Sequence, residues 1–211
     1  MDPNTSEVPL SEVKRVEGAL RSDILTAVLP PGTALRQEAL CRRYRSSRTP
    51  VRQALTTLAM SGLVSIPTSG TAAVREVSAR GLIEILDMRI ILEPLAAARA
   101  VATMPGDVIA DMEARISSVE ASGSTPETVE ALDQFFHVTL AAWCGNSYLM
   151  NSITGLHQHL ALARIKDLTA RHDLVLSSLT TITRALVDRD ARKVEAAMCA
   201  HIDDFRRSLI P

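Results

Sequence analysis

Aromatic side chains are scarce in this chain of 211 residues, which has three phenylalanines, two tyrosines and one tryptophan. So few rings argue against the stacking platforms with which proteins hold single-stranded nucleic acid. Cysteine is equally sparse. Cys41, Cys144 and Cys199 are too few and too scattered for a disulfide framework or a cysteine-rich zinc site, and all three read as structural. No apolar run reaches the roughly 18 residues that a membrane-spanning helix needs, and no signal peptide or low-complexity tract is present. The chain is therefore expected in the cytoplasm, with no membrane partner. Net charge is small as well, a formal −1.

The small net charge hides an uneven distribution. Residues 1–78 hold ten lysines and arginines against seven acids, whereas residues 79–211 hold thirteen against seventeen. Between Leu35 and Leu55 six arginines face a single acid, Glu38. That pattern suits a basic reading head on a neutral-to-acidic body, with duplex DNA as the partner. The length allows one large or two modest domains with a real core. The first ten residues are polar, carry two prolines, and are expected to be disordered.

The most informative stretch is Ser47-Arg48-Thr49-Pro50-Val51-Arg52-Gln53-Ala54-Leu55. Ser47 is a good N-cap, its hydroxyl able to accept a bond from an orphan backbone N–H. Pro50 falls in the first turn, where its missing N–H breaks no intrahelical bond. Val51, Ala54, Leu55 and Leu58 recur at helical spacing and predict one buried face. Arg48 and Arg52 lie four apart on another face, with Thr49 and Gln53 near them. Arginines there suit phosphates and guanine edges alike.

Upstream, Val13, Val16, Leu20, Ile24 and Val28 follow helical spacing up to the stop Leu29-Pro30-Pro31-Gly32. A short helix from about Gln37 to Tyr44 buries Leu40 and Tyr44. Together with the Ser-Arg-Thr-Pro helix it makes a helix-turn-helix. Leu63–Ile66 and Ala72–Arg75, joined by a glycine-bearing tip, read as a hairpin, which behind such a motif is a wing.

The run Leu29-Pro30-Pro31-Gly32-x-x-Leu35, Leu40, Ser47-Arg48-Thr49-Pro50-Val51-Arg52-x-Ala54-Leu55, Gly62-Leu63-Val64 and Gly70 resembles the N-terminal domain of GntR-family bacterial transcription regulators. The match covers about residues 10 to 78. The resemblance implies operator contacts by Arg36, Arg48 and Arg52, helped by Ser47, Thr49 and the wing glycine Gly70. In one departure, the turn before Ser47 carries Arg45 and Ser46 where the family usually has a glycine and an apolar residue.

From about Ser78 the pattern is all helix. Helices are expected over Ser78–Thr103, Asp107–Ala121, Pro126–Trp143, Ser147 to about Ala170, His172–Asp188 and Ala191–Ile210, forming an antiparallel bundle. Leu82, Ile85, Leu86, Ile90 and Leu95 mark the apolar side of the first, and Pro94 predicts a kink or break within it. Neither a strand pattern nor a phosphate-cradling glycine loop appears here.

Four groups stand out: Arg89-x-x-x-Glu93; Asp133-x-x-Phe136-His137-x-x-Leu140; Gly145-Asn146-x-Tyr148-Leu149; and Asp190 with Ala197, Met198 and His201. They make residues 80 to 209 resemble the all-helical effector-binding (FCD) domain of the FadR-type branch of the GntR family. Many members of that branch hold a divalent metal through one Asp and three His, with a small carboxylate against the metal. Asp133 and His137 match the first two ligands, and the i, i+4 spacing puts both on one helix face. His201 matches the last. The remaining ligand falls at Leu179. His172, seven residues away and about 10 Å along a helix axis, cannot simply replace it.

Two readings of this site follow. Asp133, His137 and His201 hold zinc or another first-row metal, with water or effector in the vacant position. Alternatively the metal site has decayed, and these residues bind effector directly or form a polar network. His157 or His159 is a candidate third imidazole if its helix faces the pocket. For Arg89 the choice lies between an ion pair with Glu93 or Asp133 and, as the resemblance implies, a carboxylate clamp.

The expected fold is mainly α: a tail over 1–10, a winged helix-turn-helix over 11–77 and an antiparallel bundle over 78–211. The expected function is that of a homodimeric, ligand-responsive DNA-binding repressor sensing a small organic acid, not an enzyme. Effector would change the spacing of the heads through the linker near Val77–Gly81. The alternatives are a DNA-binding regulator with a dead pocket, or a metalloenzyme using Asp and two His for water activation.

Overall fold

The computed structural model describes residues 10–68, 70–163 and 172–209, without the side chains of Leu10 and His172. These residues fall into two compact units, one within Met1–Ser78 plus Gln158–Ala163 and one within Ala79–His157 plus Arg164–Pro211. Most of the tail expected to be disordered lies outside the described residues, but Leu10 already opens the first helix.

In the first unit, α1 (Leu10–Leu25), α2 (Gln37–Tyr44) and α3 (Arg48–Met60) precede a hairpin of β1 (Val64–Ser65) and β2 (Ala73–Val74). Val16, Leu20 and Ile24 recur every four residues on α1 and are fully buried. They share a core with Leu35, Leu40, Tyr44, Val51, Leu55, Leu58 and the hairpin residues Leu63, Val64 and Val74. Truncating one such leucine to alanine costs about 2–5 kcal/mol. Val28 is a correction. The helix ends at Leu25, Ala27 turns left-handed at φ 62°, and Val28 is 54% exposed. The strands pair antiparallel with Val64 opposite Val74. A bridge from Ala34 to Ala73 adds an extended segment to the other edge of β2, which the sequence pattern did not reveal.

The second unit is helical among its described residues: α4 (Ala79–Ala100), α5 (Gly106–Ser122), α6 (Pro126–Ala142), α7 (Ser147–Ala163), α8 (His172–Val187) and α9 (Ala191–Leu209). The last residues of α7, Gln158–Ala163, group with the first unit, where Leu162 joins the core. The expected continuation of this helix to Ala170 lies outside the described residues. Within the bundle, α9 packs on α4 and α8, while α6 packs on α4, α5 and α8. Their common core includes Met112, Phe136, Leu140, Leu179, Ile182, Leu186, Val194 and Met198.

Two expectations about α4 change. It runs unbroken through Pro94, and Leu95 faces out at 48% exposure. The buried side is Ile85, Leu86, Arg89, Glu93, Ala96, Ala97 and Ala100, so small residues and a charged pair occupy much of the face against its neighbours. Two conspicuous sequence groups serve helix ends. Asn146 Oδ1 accepts from Leu149 N at 3.1 Å, and Asp190 Oδ1 from Lys193 N at 3.1 Å, capping α7 and α9.

Candidate DNA-reading face and bundle pocket

On the first unit, α3 buries Pro50, Val51, Ala54, Leu55 and Leu58. Arg48, Thr49, Arg52 and Gln53 are exposed around its first two turns. Ser47 is the N-cap residue, but its side chain makes no capping hydrogen bond, so the hydroxyl is left for another acceptor or donor. Arg36 occupies the N-cap position of α2 and is exposed. Gly70 lies on the loop between the strands at φ 124°, a backbone that strains any other residue. Arg48 is paired with Glu38 at 2.9 Å in full view of solvent. Such an exposed pair is worth less than about 1 kcal/mol and is readily exchanged for a phosphate. The side chains of Arg36 and Arg52 make no ion pair or hydrogen bond among the described residues.

The charged cluster of the second unit begins on α4. Arg89 and Glu93, four residues apart, are both buried, and Arg89 Nε donates to Glu93 Oε1 at 2.5 Å. The ion-pair partner of Arg89 is thus Glu93 and not Asp133. From α6, His137 places Nδ1 against Glu93 Oε2, while its Nε2 lies 3.1 Å from Arg89 Nη2 and 3.2 Å from His201 Nε2. Asp133, one turn earlier on the same face, has Oδ2 3.5 Å from His137 Nε2 and Oδ1 3.0 Å from His201 Nε2. From α7, His157 Nε2 sits 3.1 Å from Glu93 Oε1. His159 points elsewhere, with Nε2 3.0 Å from the Ser61 carbonyl of the first unit, to which it also belongs.

Burial disfavours ionising Glu93, Asp133, His137 and His157, yet mutual attraction overrides it for the first three. Against burial, His137 and Arg89 hold Glu93 well below the ordinary carboxylate range, and His137 and His201 do the same for Asp133. His137 also resists burial, because Glu93 and Asp133 raise it to about 9. His157 follows burial down to about 4, Arg89 and His137 pressing in the same direction against its bond to Glu93.

The tautomers sharpen this picture. Ser178 Oγ gives its one hydrogen to the Val175 carbonyl at 2.7 Å, so it accepts from His201 Nδ1, also at 2.7 Å. A neutral His201 then presents a lone pair on Nε2, facing the Asp133 oxygen 3.0 Å away. A proton on Nε2 would satisfy that oxygen, and without one the two lone pairs would admit a metal cation instead. Asp133 Oδ1 is buried with no hydrogen bond of good angle. The 3.2 Å between the two imidazole Nε2 atoms is close to the roughly 3.3 Å of two histidines on one tetrahedral zinc. Asp133, His137 and His201 bring their ligand atoms within 4.8 Å of one another, as do Glu93, His137 and His157. The donor set thus fits a divalent metal. Leu179, fully buried, contributes only to the apolar core.

Sequence reasoning paired Asp133 with His137 by spacing but missed Ser178, since a lone serine on a helix carries no periodic signal. It treated Glu93 only as a partner for Arg89, whereas Glu93 also receives His137 and His157.

The profile "Bacterial regulatory proteins, gntR family" matches residues 12–74, and the FCD domain profile matches residues 84–204. Among curated proteins, the HTH-type transcriptional repressor GlaR of Escherichia coli (strain K12) is 26% identical over 199 residues, covering 87% of this chain and 89% of the relative. The Nta operon transcriptional regulator of Aminobacter aminovorans is 27% identical over 174 residues, 82% of each chain. Among solved structures, E. coli McbR/YncC superposes with TM-score 0.79 at 21% identity, over 95% of this chain and 97% of that one. The two curated relatives are a transcriptional repressor and a transcriptional regulator. The chain belongs to the GntR family of bacterial transcription regulators, with a C-terminal FCD domain.

Proposed function

We propose that this regulator is a homodimeric repressor in which α3 and the wing read duplex operator DNA while the bundle senses a small carboxylate beside a bound metal. Arg48 and Arg52 face the major groove from the start of α3. Ser47 and Thr49 offer hydroxyls to the backbone, and Arg36 and the wing at Gly70 flank them. The names of its relatives, which include a gluconate operon transcriptional repressor of Bacillus licheniformis, support repression.

The observation that carries the sensing role is the convergence of Asp133 Oδ1, His137 Nε2 and His201 Nε2, with Ser178 and Glu93 set against the far sides of the two rings. That arrangement orients ring lone pairs inward. Three protein ligands suffice for zinc or another first-row metal, which when bound supplies a Lewis acid with open positions for an anion. Charge argues for the same ligand class. With neutral imidazoles, Arg89, Glu93, Asp133 and a divalent ion leave one excess positive charge, which a monocarboxylate neutralises in a buried site. We place dimerisation on α4, whose Met88, Ile91 and Leu95 form an exposed apolar stripe at helical spacing.

His137→Ala is expected to abolish metal retained by the purified protein, read by elemental analysis. Unchanged metal content would refute the ligand set. One observation favours a second reading, a regulator with a dead pocket: Arg89 already occupies His137 Nε2 at 3.1 Å. On that reading neither zinc nor small acids, alone or together, would raise the melting temperature.

A further inference from the structure

The tight turn joining α2 to α3 holds an arginine in a conformation that suits glycine. Arg45 closes α2 at φ 49° and ψ 52°, its N–H bonded to the Arg42 carbonyl and the N–H of Ser46 to that of Cys41. The left-handed region penalises a Cβ, and glycine would complete the same turn without that penalty. Two other non-glycine residues share the conformation, Ala27 and Arg189. For Arg189 the side chain has evident work: its guanidinium donates to the carbonyls of Val101 and Met104 at the end of α4. Arg45, by contrast, is exposed and makes no side-chain hydrogen bond or ion pair among the described residues. Its neighbours divide sharply. Arg43 is held by Asp23 and Arg48 by Glu38, whereas Arg42 is as uncommitted as Arg45.

The position of Arg45 matters as much as its freedom. It stands two residues before Ser47, where the groove-facing helix begins, so its charge lies at the edge of the DNA-reading face. We infer that Arg45 is a phosphate-contacting residue of that face, anchoring the DNA backbone beside the bases that Arg48 and Arg52 read. This rests on the proposed role of α3. Phosphate contacts carry no sequence information but set affinity and its salt dependence, because each one releases counterions. The competing role is purely structural: a cation following α2 complements the negative end of its helix dipole.

Glycine and lysine at this position separate the two. The probe is a labelled duplex selected by the wild-type protein from random-sequence DNA, alongside a scrambled duplex, titrated between about 50 and 200 mM salt. Arg45→Gly is expected to keep or raise the melting temperature, since relief of the left-handed strain offsets the lost dipole contact. It nevertheless binds both duplexes more weakly. The slope of log affinity against log salt becomes shallower by about 0.9 for each head bound. Arg45→Lys retains the charge and most of the slope. A wild-type slope in Arg45→Gly overturns the assignment, whatever the melting temperature does. If Arg48→Ala also binds like the wild type, the DNA-reading face itself is wrong and Arg45 falls with it. An unaltered Arg45→Gly beside a weakened Arg48→Ala removes Arg45 alone.

Discussion

At position 179 the bundle buries a leucine completely, one residue after the serine that orients His201. The family resemblance implies a metal-binding histidine there, so on the proposed ligand set this chain would offer three ligands instead of four. Leu179→His should tighten zinc binding at least about tenfold, the scale on which single changes around a metal site act. Without metal the same variant should lose about 1–3 kcal/mol, because an unpaired imidazole replaces a packed side chain. Competition with a chelator and melting with and without zinc measure both effects. Equal zinc affinity in the two proteins would show that 179 does not face the site. The legible part of the pocket was the pair Asp133 and His137, because a helix puts i and i+4 on one face. Contacts between helices were not legible. Glu93 reaches His137 and His157 across three helices, and no spacing along the chain encodes that.

Among the elements, α3 was the most readable. Its buried residues follow one helical face, and its cap and first-turn proline mark where it starts. Replacing Arg48 or Arg52 by alanine should weaken operator binding by about 1–3 kcal/mol each. Fluorescence anisotropy checks this, and unchanged affinity in both would remove them from the interface. Helix α4 was misread at Leu95 because its inward face carries Arg89, Glu93 and alanines, which a search for large apolar residues passes over. The large apolar residues Met88, Ile91 and Leu95 are exposed instead. If that stripe is the dimer contact, Ile91→Glu should place unpaired charges within it and yield monomers, read by sedimentation. A dimer that persists at micromolar concentration would move the interface elsewhere. The end of α1 was misjudged for a related reason: Val28 keeps the spacing of the helix after the left-handed Ala27 has already ended it.

For the whole molecule, the division of charge agreed with the function that the Ser47–Leu55 motif pointed to. Six arginines within the helix-turn-helix stand on a chain whose net charge is −1. The turn chemistry, hairpin glycine and helical periodicity then gave the two architectures, while the pairing of elements had to come from the folded chain. A dimeric sensor of the proposed kind would link two equilibria. An anion that binds the bundle in one arrangement of the dimer changes operator affinity by the difference in its affinity for the two arrangements. The most direct measurement is the operator-binding isotherm of the purified protein, taken after stripping metal and again with zinc plus each of a panel of small carboxylic acids. At least one zinc and acid combination should change operator affinity about fivefold or more, and the change should vanish in His137→Ala. An isotherm that stays the same across the panel, or shifts equally in His137→Ala, would contradict a metal-supported sensor in the bundle.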